Sequence, residues 1–369
     1  MPRQADLIDP QPRIIDLFAG PGGLDVGATW LEVAATGIEW DVNACATRAS
    51  AGLVTEQGDV RDYRPADFPE ATILAGGPPC QTFTVAGRGA GRRALDEVIR
   101  QAEEMSESLD AGMDRGQFGD DRTGLVLEPL RWALLSLNAS RPYEAIVLEQ
   151  VPAVLPVWEA FGSILERHGY GVDVGVLRSE EFGVPQTRRR AILIARLDDD
   201  VSLPTPTHEA YRRGHPPQGA IGLRPWVSMG EALARDAKFT VVSNYGSGGD
   251  PKNRGERTSE EPSATITGKV MRNRLRFGNG EWGRLTHHEA GRLQTFPYDF
   301  PWSGNDIGQQ IGNAIPPRLA AHVLAQALDM TIDIEELDQT VNASWFEGRP
   351  LPLAAHFERN RNCMAAVQG

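Results

Sequence analysis

Apolar and polar positions follow one another along this chain in a regular succession. Short apolar runs of strand length occur at 13–18 (RIIDLF), 35–40 (ATGIEW), 53–60 (LVTEQGDV), 71–77 (ATILAGG) and 144–151 (EAIVLEQV). Between them, apolar residues recur at helical spacing: LDVGATWLEVAA after the first run, Asn43–Ser50 after the second, TGLVLEPLRWALLSL at 123–137, and Val157–His168. GYGVDVGVL and RRRAILIARL read as two further strands. Strands that alternate with helices predict an α/β fold, a parallel sheet covered on both faces. Such sheets bind ligands at the carboxyl ends of their strands. The first four strand ends carry Gly20–Gly23, Glu39–Trp40, Asp59–Val60 and Pro79–Cys80.

The rest of the pattern is less regular. Residues 88–122 are polar and read as a long mobile loop carrying a helical insert, ALDEVIRQAEEMSESL. Pro204–Pro225, rich in Pro, Gly and His, marks the junction into a second domain. LTHHEAGRLQTF (285–296) restarts a helix with Thr286 as its N-cap, and QQIGNAIPPRLAAHVLAQAL closes with a turn and a helix opened by proline. Residues 335–369 carry no pattern that places them.

Composition changes this picture in two ways. The net charge of −13 points away from nucleic acid, but Tyr211–Arg284 alone sums to roughly +6. A basic module on an acidic body is able to bind a phosphate backbone; the bland alternative is a solvated arginine surface. The three cysteines, Cys45, Cys80 and Cys363, have no paired spacing, which argues against a disulfide scaffold or a metal site and fits a reducing cytoplasm. No apolar run reaches membrane length and no secretory signal pattern opens the chain, so a cytoplasmic protein without a membrane partner is expected.

The candidate chemistry lies at the strand ends. In GGPPCQTFT (76–84), two glycines and two prolines forbid helix or central strand, so Cys80 sits on a stiff turn. It is either a nucleophile presented to a site or a small packed hydrophobe. The glycine turn at 20–23 lacks both the full GxGxxG spacing and the lysine of a phosphate loop. Glu39 is placed to accept ribose hydroxyls, Trp40 to stack on adenine and Asp59 to accept from an adenine amine; the alternative for each is a surface carboxylate or a core aromatic. In QTRRR, an extended backbone would put Gln186, Arg188 and Arg190 on one face, beside Glu149. Cysteine, carboxyl and guanidinium on one edge suit attack on an electron-poor ring, unless Glu149 and an arginine merely form a salt bridge. In MRNRLRF, the same argument puts Arg272, Arg274 and Arg276 on one strand face, able to read guanine edges or grip phosphates.

DLFAGPGG, GIEW, GDV, GGPPCQTFT, LEQV, QTRRR, RLTHHEAGRLQTFP and QQIGNAIPP occur in this order over about residues 14–328. The series resembles the motifs of bacterial-type DNA (cytosine-5) methyltransferases. The resemblance implies a Rossmann-like S-adenosylmethionine-dependent methyltransferase sheet with a second, smaller target-recognition domain. Residues 1–204 and 285–334 would form the catalytic and cofactor-binding part and 205–284 the recognition part, with 335–369 a tail. It further implies that Cys80 adds to carbon 6 of a flipped-out cytosine. Glu149, neutral at least transiently, would protonate ring N3, and Arg190, with Arg188, would hold the base's carbonyl oxygen. Phe18, Ala19, Gly20, Gly22, Gly23, Leu24, Glu39, Trp40, Asp59, Val60, Pro79, Leu125, Asn313 and Ile315 would line the pocket for S-adenosyl-L-methionine, with no metal. Gln81, Thr84, Gln186, Thr265, Thr267 and the three MRNRLRF arginines would contact double-stranded DNA. The loop starting at Thr82 would close over the base, and Asn244–Asn253 would supply a recognition loop. A cognate restriction endonuclease or defence-system proteins are the implied partners, and a monomer is expected.

The sequence departs from the family at one telling position. The usual Glu-Asn-Val reads Glu149-Gln150-Val151. If asparagine braces the cysteine turn, glutamine keeps the amide but adds a methylene, and restoring asparagine should not lower the rate. Two other readings stand beside the main one: a transfer-RNA cytosine-5 methyltransferase, whose Cys-Phe-Thr signature is replaced by Cys80-Gln81-Thr82, and a non-catalytic DNA-binding relative.

Overall fold

The computed structural model describes residues 11–79, 88–107, 124–246 and 254–346. Its larger sheet starts with β1 (Arg13–Leu17), followed by α1 (Gly23–Trp30), β2 (Ala34–Glu39), α2 (Val42–Ser50), β3 (Thr55–Gln57) and β4 (Ile73–Gly76). After α3 (Arg88–Glu107) and α4 (Glu128–Asn138) come β5 (Ala145–Gln150), α5 (Leu155–Glu166), β6 (Tyr170–Arg178), the short β7 (Gln186–Thr187) and β8 (Arg189–Leu197). Seven strands pair in the order β3-β2-β1-β4-β5-β8-β6. Four of β1's five residues are consecutively buried, as expected for a central strand covered on both faces.

Alternate side chains of the strands feed two cores. Ile14, Ile73, Ala75 and Val147 join Val26 and Trp30 of α1 on one face. Ile15, Leu17, Leu74 and Ile146 join Trp132 of α4 and Trp158 of α5 on the other. One expectation about this sheet needs correcting: it is not wholly parallel. β8 runs antiparallel to both β5 and β6. The link from β6 to β8 holds only the single turn Ser179–Phe182 and β7, too short for a helical crossover, so the strand must reverse.

The second sheet is antiparallel. α6 (Met229–Leu233) precedes β9 (Phe239–Gly246), β10 (Arg254–Thr258), β11 (Ser263–Ala264), β12 (Arg274–Phe277) and β13 (Trp282–Gly283), which pair as β10-β9-β12-β13, while β11 pairs with β7. α7 (His287–Arg292), α8 (Ile307–Asn313), α9 (Pro317–Ala327) and α10 (Ile334–Asn342) follow. Met229, Phe239, Val241 and Leu275 pack with Ala290 and Ile311 of α7 and α8, so the small sheet shares a core with the returning chain. Thr286 caps α7 as expected, its side chain accepting from Glu289 N at 3.2 Å.

Two segments are more ordered than their sequence suggested. Of the expected mobile loop, Arg88–Glu107 forms α3, which buries Val98, Ala102 and Met105 and ties Glu103 to Arg167 at 2.6 Å. Residues 108–123 lie outside the described residues. The start of the tail is α10, capped by Asp333 and holding Leu337 and Val341 in the core; residues 347–369 lie outside the description. Among the described residues, no helix is long and apolar enough to cross a membrane.

Candidate active site

The turn after β1 is built on left-handed backbone. Phe18 (φ 63°), Gly20 (φ 55°) and Gly22 (φ 101°) all lie at positive φ, which only the glycines adopt freely. Gly23 is required for a different reason: a Cβ there would stand 2.2 Å from the carbonyl oxygen of Ile315. The first turn and the closing QQIGNAIPP segment are thus in backbone contact. Glu39 clamps the turn from the end of β2. Its Oε2 accepts from Gly20 N (2.7 Å), and its Oε1 from Trp40 N (2.9 Å) and Asp41 N (2.7 Å). Burial pushes the Glu39 carboxyl up, and the three amides counter part of that shift.

The other residues expected at this pocket lie on the same sheet edge, beyond the ends of neighbouring strands. Trp40 is 69% exposed, a free indole face at the end of β2. Asp59 pairs with Arg61 at 2.5 Å and caps the turn that starts at Val60, which is buried. Ala19, Leu24 and Ile315 are buried, and Pro79 and Leu125 half-buried. Asn313 is exposed and accepts from Gln309 Nε2 at 2.7 Å.

Sequence reasoning missed the support beneath this turn. Arg48 of α2, fully buried, forms a bidentate pair with Asp25 of α1 (both contacts 2.7 Å) and donates to Val54 O (2.9 Å) and Thr55 Oγ1 (2.8 Å). Asp16 of β1 lies against Asp25, and burial beside that second carboxylate drives its own carboxyl well up. The signal was present in DLFAGPGGLD, where two acids flank an otherwise apolar and glycine-rich stretch.

At the end of β5, Glu149 is 9% exposed and ion-paired with Nε of Arg190, without hydrogen-bond geometry. Gly77 brings the cysteine turn alongside: a Cβ there would stand 3.5 Å from Glu149 Oε2. Gln150 donates from Nε2 to the carbonyl oxygen of Pro78 and accepts from Val151 N. The turn is therefore tied to β5 two residues before Cys80. Cys80, Gln81, Thr82 and Thr84 themselves lie outside the described residues.

Two expected site residues point inward instead. Gln186, expected on the DNA face, is fully buried; it donates to Leu293 O (2.9 Å) and accepts from Ile266 N (2.9 Å). Arg188, expected beside Glu149, is 1% exposed and donates to Ile266 O (3.1 Å), Gly312 O (3.1 Å) and Ala314 O (3.0 Å). Burial pushes it down to about 9, which leaves it charged at neutral pH. The cause is a bend: β7 and β8 are separate strands, and Arg188 lies between them, paired with neither. Of the three residues expected on one face, only Arg190 remains at the edge.

On the small sheet, Arg274 and Arg276 share an exposed face, but Arg272 belongs to the preceding turn and not to the strand. Arg274 stacks over the Trp282 ring at 4.3 Å, and Arg276 is paired with Glu256 at 2.8 Å. Thr265 and Thr267 are exposed at the seam between the two sheets, with Thr265 Oγ1 donating to Thr187 O at 2.8 Å. Of the expected recognition loop, residues 247–253 lie outside the description.

Comparison with known proteins agrees with this fold. The family model of the C-5 cytosine-specific DNA methylase matches residues 12–101, 111–218 and 235–329. The Type II methyltransferase M.NgoFVII of Neisseria gonorrhoeae is 28% identical over 84% of each chain. M1.HphI of Haemophilus parahaemolyticus is also 28% identical, over 86% of each. Among solved structures, the Dnmt2 methyltransferase of S. pombe superposes with a TM-score of 0.59 at 17% identity, covering 86% of this chain and 98% of that one. The EhMeth methyltransferase of Entamoeba histolytica gives 0.54 at 13% identity, with the same coverage. The chain belongs to the C-5 cytosine-specific DNA methylase family.

Proposed function

We propose that this protein transfers a methyl group from S-adenosyl-L-methionine to carbon 5 of cytosine in duplex DNA. The observation that carries the reading is the pairing of Glu149 with Arg190 at the end of β5, against a proline turn that Gln150 ties in place before Cys80. The two prolines, Pro78 and Pro79, restrict the backbone that leads to Cys80, which lowers the orientational cost of an attack from that position.

The methyl donor fits the opposite side of the same edge. The left-handed turn at Phe18–Gly22 lets backbone approach a ligand, and the Glu39 carboxylate retains lone pairs beyond its three amide bonds. Trp40 offers an exposed ring for stacking. The bound donor supplies an electrophilic methyl group. The chain's residues do the rest. The Cys80 thiolate adds to carbon 6 while a proton passes to ring N3 from Glu149, with Arg190 holding the carbonyl oxygen. Carbon 5 then has enamine character and takes the methyl group. Loss of the carbon-5 proton to water and return of the N3 proton to Glu149 restore the ring, expel the thiolate and regenerate the acid. This chemistry requires the base outside the helical stack.

In this reading 1–204 and 285–334 form the catalytic part and 205–284 reads the target. The protein acts in the cytoplasm as a monomer, beside a restriction endonuclease or other defence proteins. Arg188 is assigned to structure, joining the turn after β7 to the closing segment.

Bisulfite sequencing of DNA from a methylation-free bacterial host tests the reaction. Cytosines protected in one short context, and unprotected with Cys80→Ala, support it. No protection from soluble, folded protein would overturn it, and methylation of transfer RNA alone would move the substrate to RNA.

A further inference from the structure

Between the end of the β6–β8 hairpin and the small sheet lies a cavity of about 580 Å³, lined chiefly by Arg178, Arg189, Arg190, Arg213, Arg257 and Glu180. Three features of it have no structural explanation. First, Arg178 and Arg189 stand directly opposite each other in the β6–β8 register, an arrangement of like charges that costs stability. Second, among the described residues neither forms an ion pair or a side-chain hydrogen bond. Arg213 reaches only the Glu256 carbonyl oxygen (3.3 Å), and Arg257 stands 3.9 Å from Glu261 while lying over the Tyr211 ring. Third, Glu180 is 3% exposed, and its Oε2 has no hydrogen-bond partner.

Arg178, Arg189 and Arg213, which form no ion pair among the described residues, call for an anion, and an orphaned buried carboxyl calls for a hydrogen-bond partner. Thr187 and Thr265 line the same cavity, and Arg190 is its shared wall with Glu149. We propose that this cavity is a phosphodiester-binding subsite for the DNA strand, walled by Arg178, Arg189, Arg213 and Arg257, in which Glu180 hydrogen-bonds a phosphate oxygen. The proposal rests on the DNA-methyltransfer reading above.

A carboxyl can donate to phosphate only when neutral. Burial pushes Glu180 up to about 7, with Glu181 adding to the rise and Arg178 and Arg189 opposing it. Across the cavity stand Tyr211, Arg213, Arg257 and Glu261, and along β8 Arg190 with Glu149. Behind the turn lie Arg318, which donates to Phe182 O at 2.6 Å, and the buried His208 and His322. Burial and the Arg318 charge hold those histidines down, at about 4 and about 3, so they stay neutral through the range where Glu180 titrates. An arriving phosphate favours the neutral acid, so strand binding takes up a proton.

The test is fluorescence anisotropy with a fluorescein-labelled DNA duplex at constant ionic strength. Wild-type protein should bind about tenfold more tightly near pH 6 than near pH 8.5. Glu180→Gln should remove that dependence and bind at both values as the wild type does at the lower one. Arg178→Ala and Arg189→Ala should each reduce the salt slope of binding by about one. Urea midpoints identify any variant that fails to fold. Persistence of the wild-type pH response in Glu180→Gln overturns the subsite and leaves the methyltransfer reading intact. Failure of the wild type to bind any duplex overturns both. A pH response seen with a transfer-RNA probe and not with the duplex overturns the DNA assignment.

Discussion

Gln150 donates its side-chain amide to the carbonyl oxygen of Pro78, and its own carbonyl accepts from Val151 N. One side chain thus joins the end of β5, which holds Glu149, to the turn that leads to Cys80. The family's asparagine is a methylene shorter, so the fit seen here is to glutamine. These bonds predict the opposite of the sequence-based expectation that asparagine would serve as well, and the rate of Gln150→Asn decides between them. Gln150→Asn and Gln150→Leu should both lower kcat, by about fivefold or more for one lost hydrogen bond, with S-adenosylmethionine affinity unchanged. Single-turnover kinetics beside calorimetric titration would separate the two quantities.

Glu39 should matter to the methyl donor through shape as much as through contact. Glu39→Gln replaces an oxygen that receives backbone amides with an NH₂ group that opposes one of them. Its affinity for S-adenosylmethionine should fall about tenfold or more by calorimetry. Trp40→Ala removes an exposed ring and should weaken binding without moving the urea midpoint.

Arg188→Ala should act on stability and not on one kinetic step. It leaves the carbonyl oxygens of Ile266 and Gly312 unpaired in the interior and removes one of the two donors to Ala314 O, the other being Gln294 Nε2. The expected cost is about 3–5 kcal/mol in urea unfolding. Arg190→Ala, at the site edge, should cut kcat and also lower stability, because it leaves the buried Glu149 carboxylate without its ion-pair partner.

The small-sheet arginines should differ in their effect on DNA affinity. Arg276 is already neutralised by Glu256, whereas Arg274, among the described residues, is held only by the Trp282 ring. Arg274→Ala should lower the salt slope of duplex binding by about one, and Arg276→Ala by less.

The two buried histidines should lower stability in mild acid, while the raised carboxyls of Glu180, Asp16 and Glu39 act in the opposite direction. His208 and His322 titrate near 6.5 when unfolded but are held at about 4 and about 3 when folded. Between those values the unfolded chain binds more protons at these two sites, so their contribution to stability is complete above about pH 6.5 and is lost as pH falls. Each histidine contributes a slope of about 1.4 kcal/mol per pH unit while it titrates. His322→Leu should flatten the decline, measured by urea unfolding from pH 7 to pH 4.5.

The strand ends of β1 to β5 were legible because each apolar run stops at glycine, proline or an acid, a local signal. The reversal of β8 was not, since hydropathy carries no strand direction; only the length of the link from Ser179 to Arg188 does. The inward turn of Gln186 and Arg188 depends on carbonyls about 80 to 130 residues further along, which no window over QTRRR contains. α10 escaped notice because only Leu337, Thr340 and Val341 of its nine residues are buried.

The contact of Gly23 with Ile315 also bears on how the protein is made. A ribosome delivers the first glycine turn long before the backbone that closes over it. Gly27 packs in the same way against Pro317 and Ala321. The nascent chain therefore grows by about 290 residues after Gly23 with α1 still lacking its partner helix. In the proposed reading, methyl-donor capture then waits until the closing segment has been made. Two fragments divided between 205 and 284, expressed together, would have to associate before either could hold the donor.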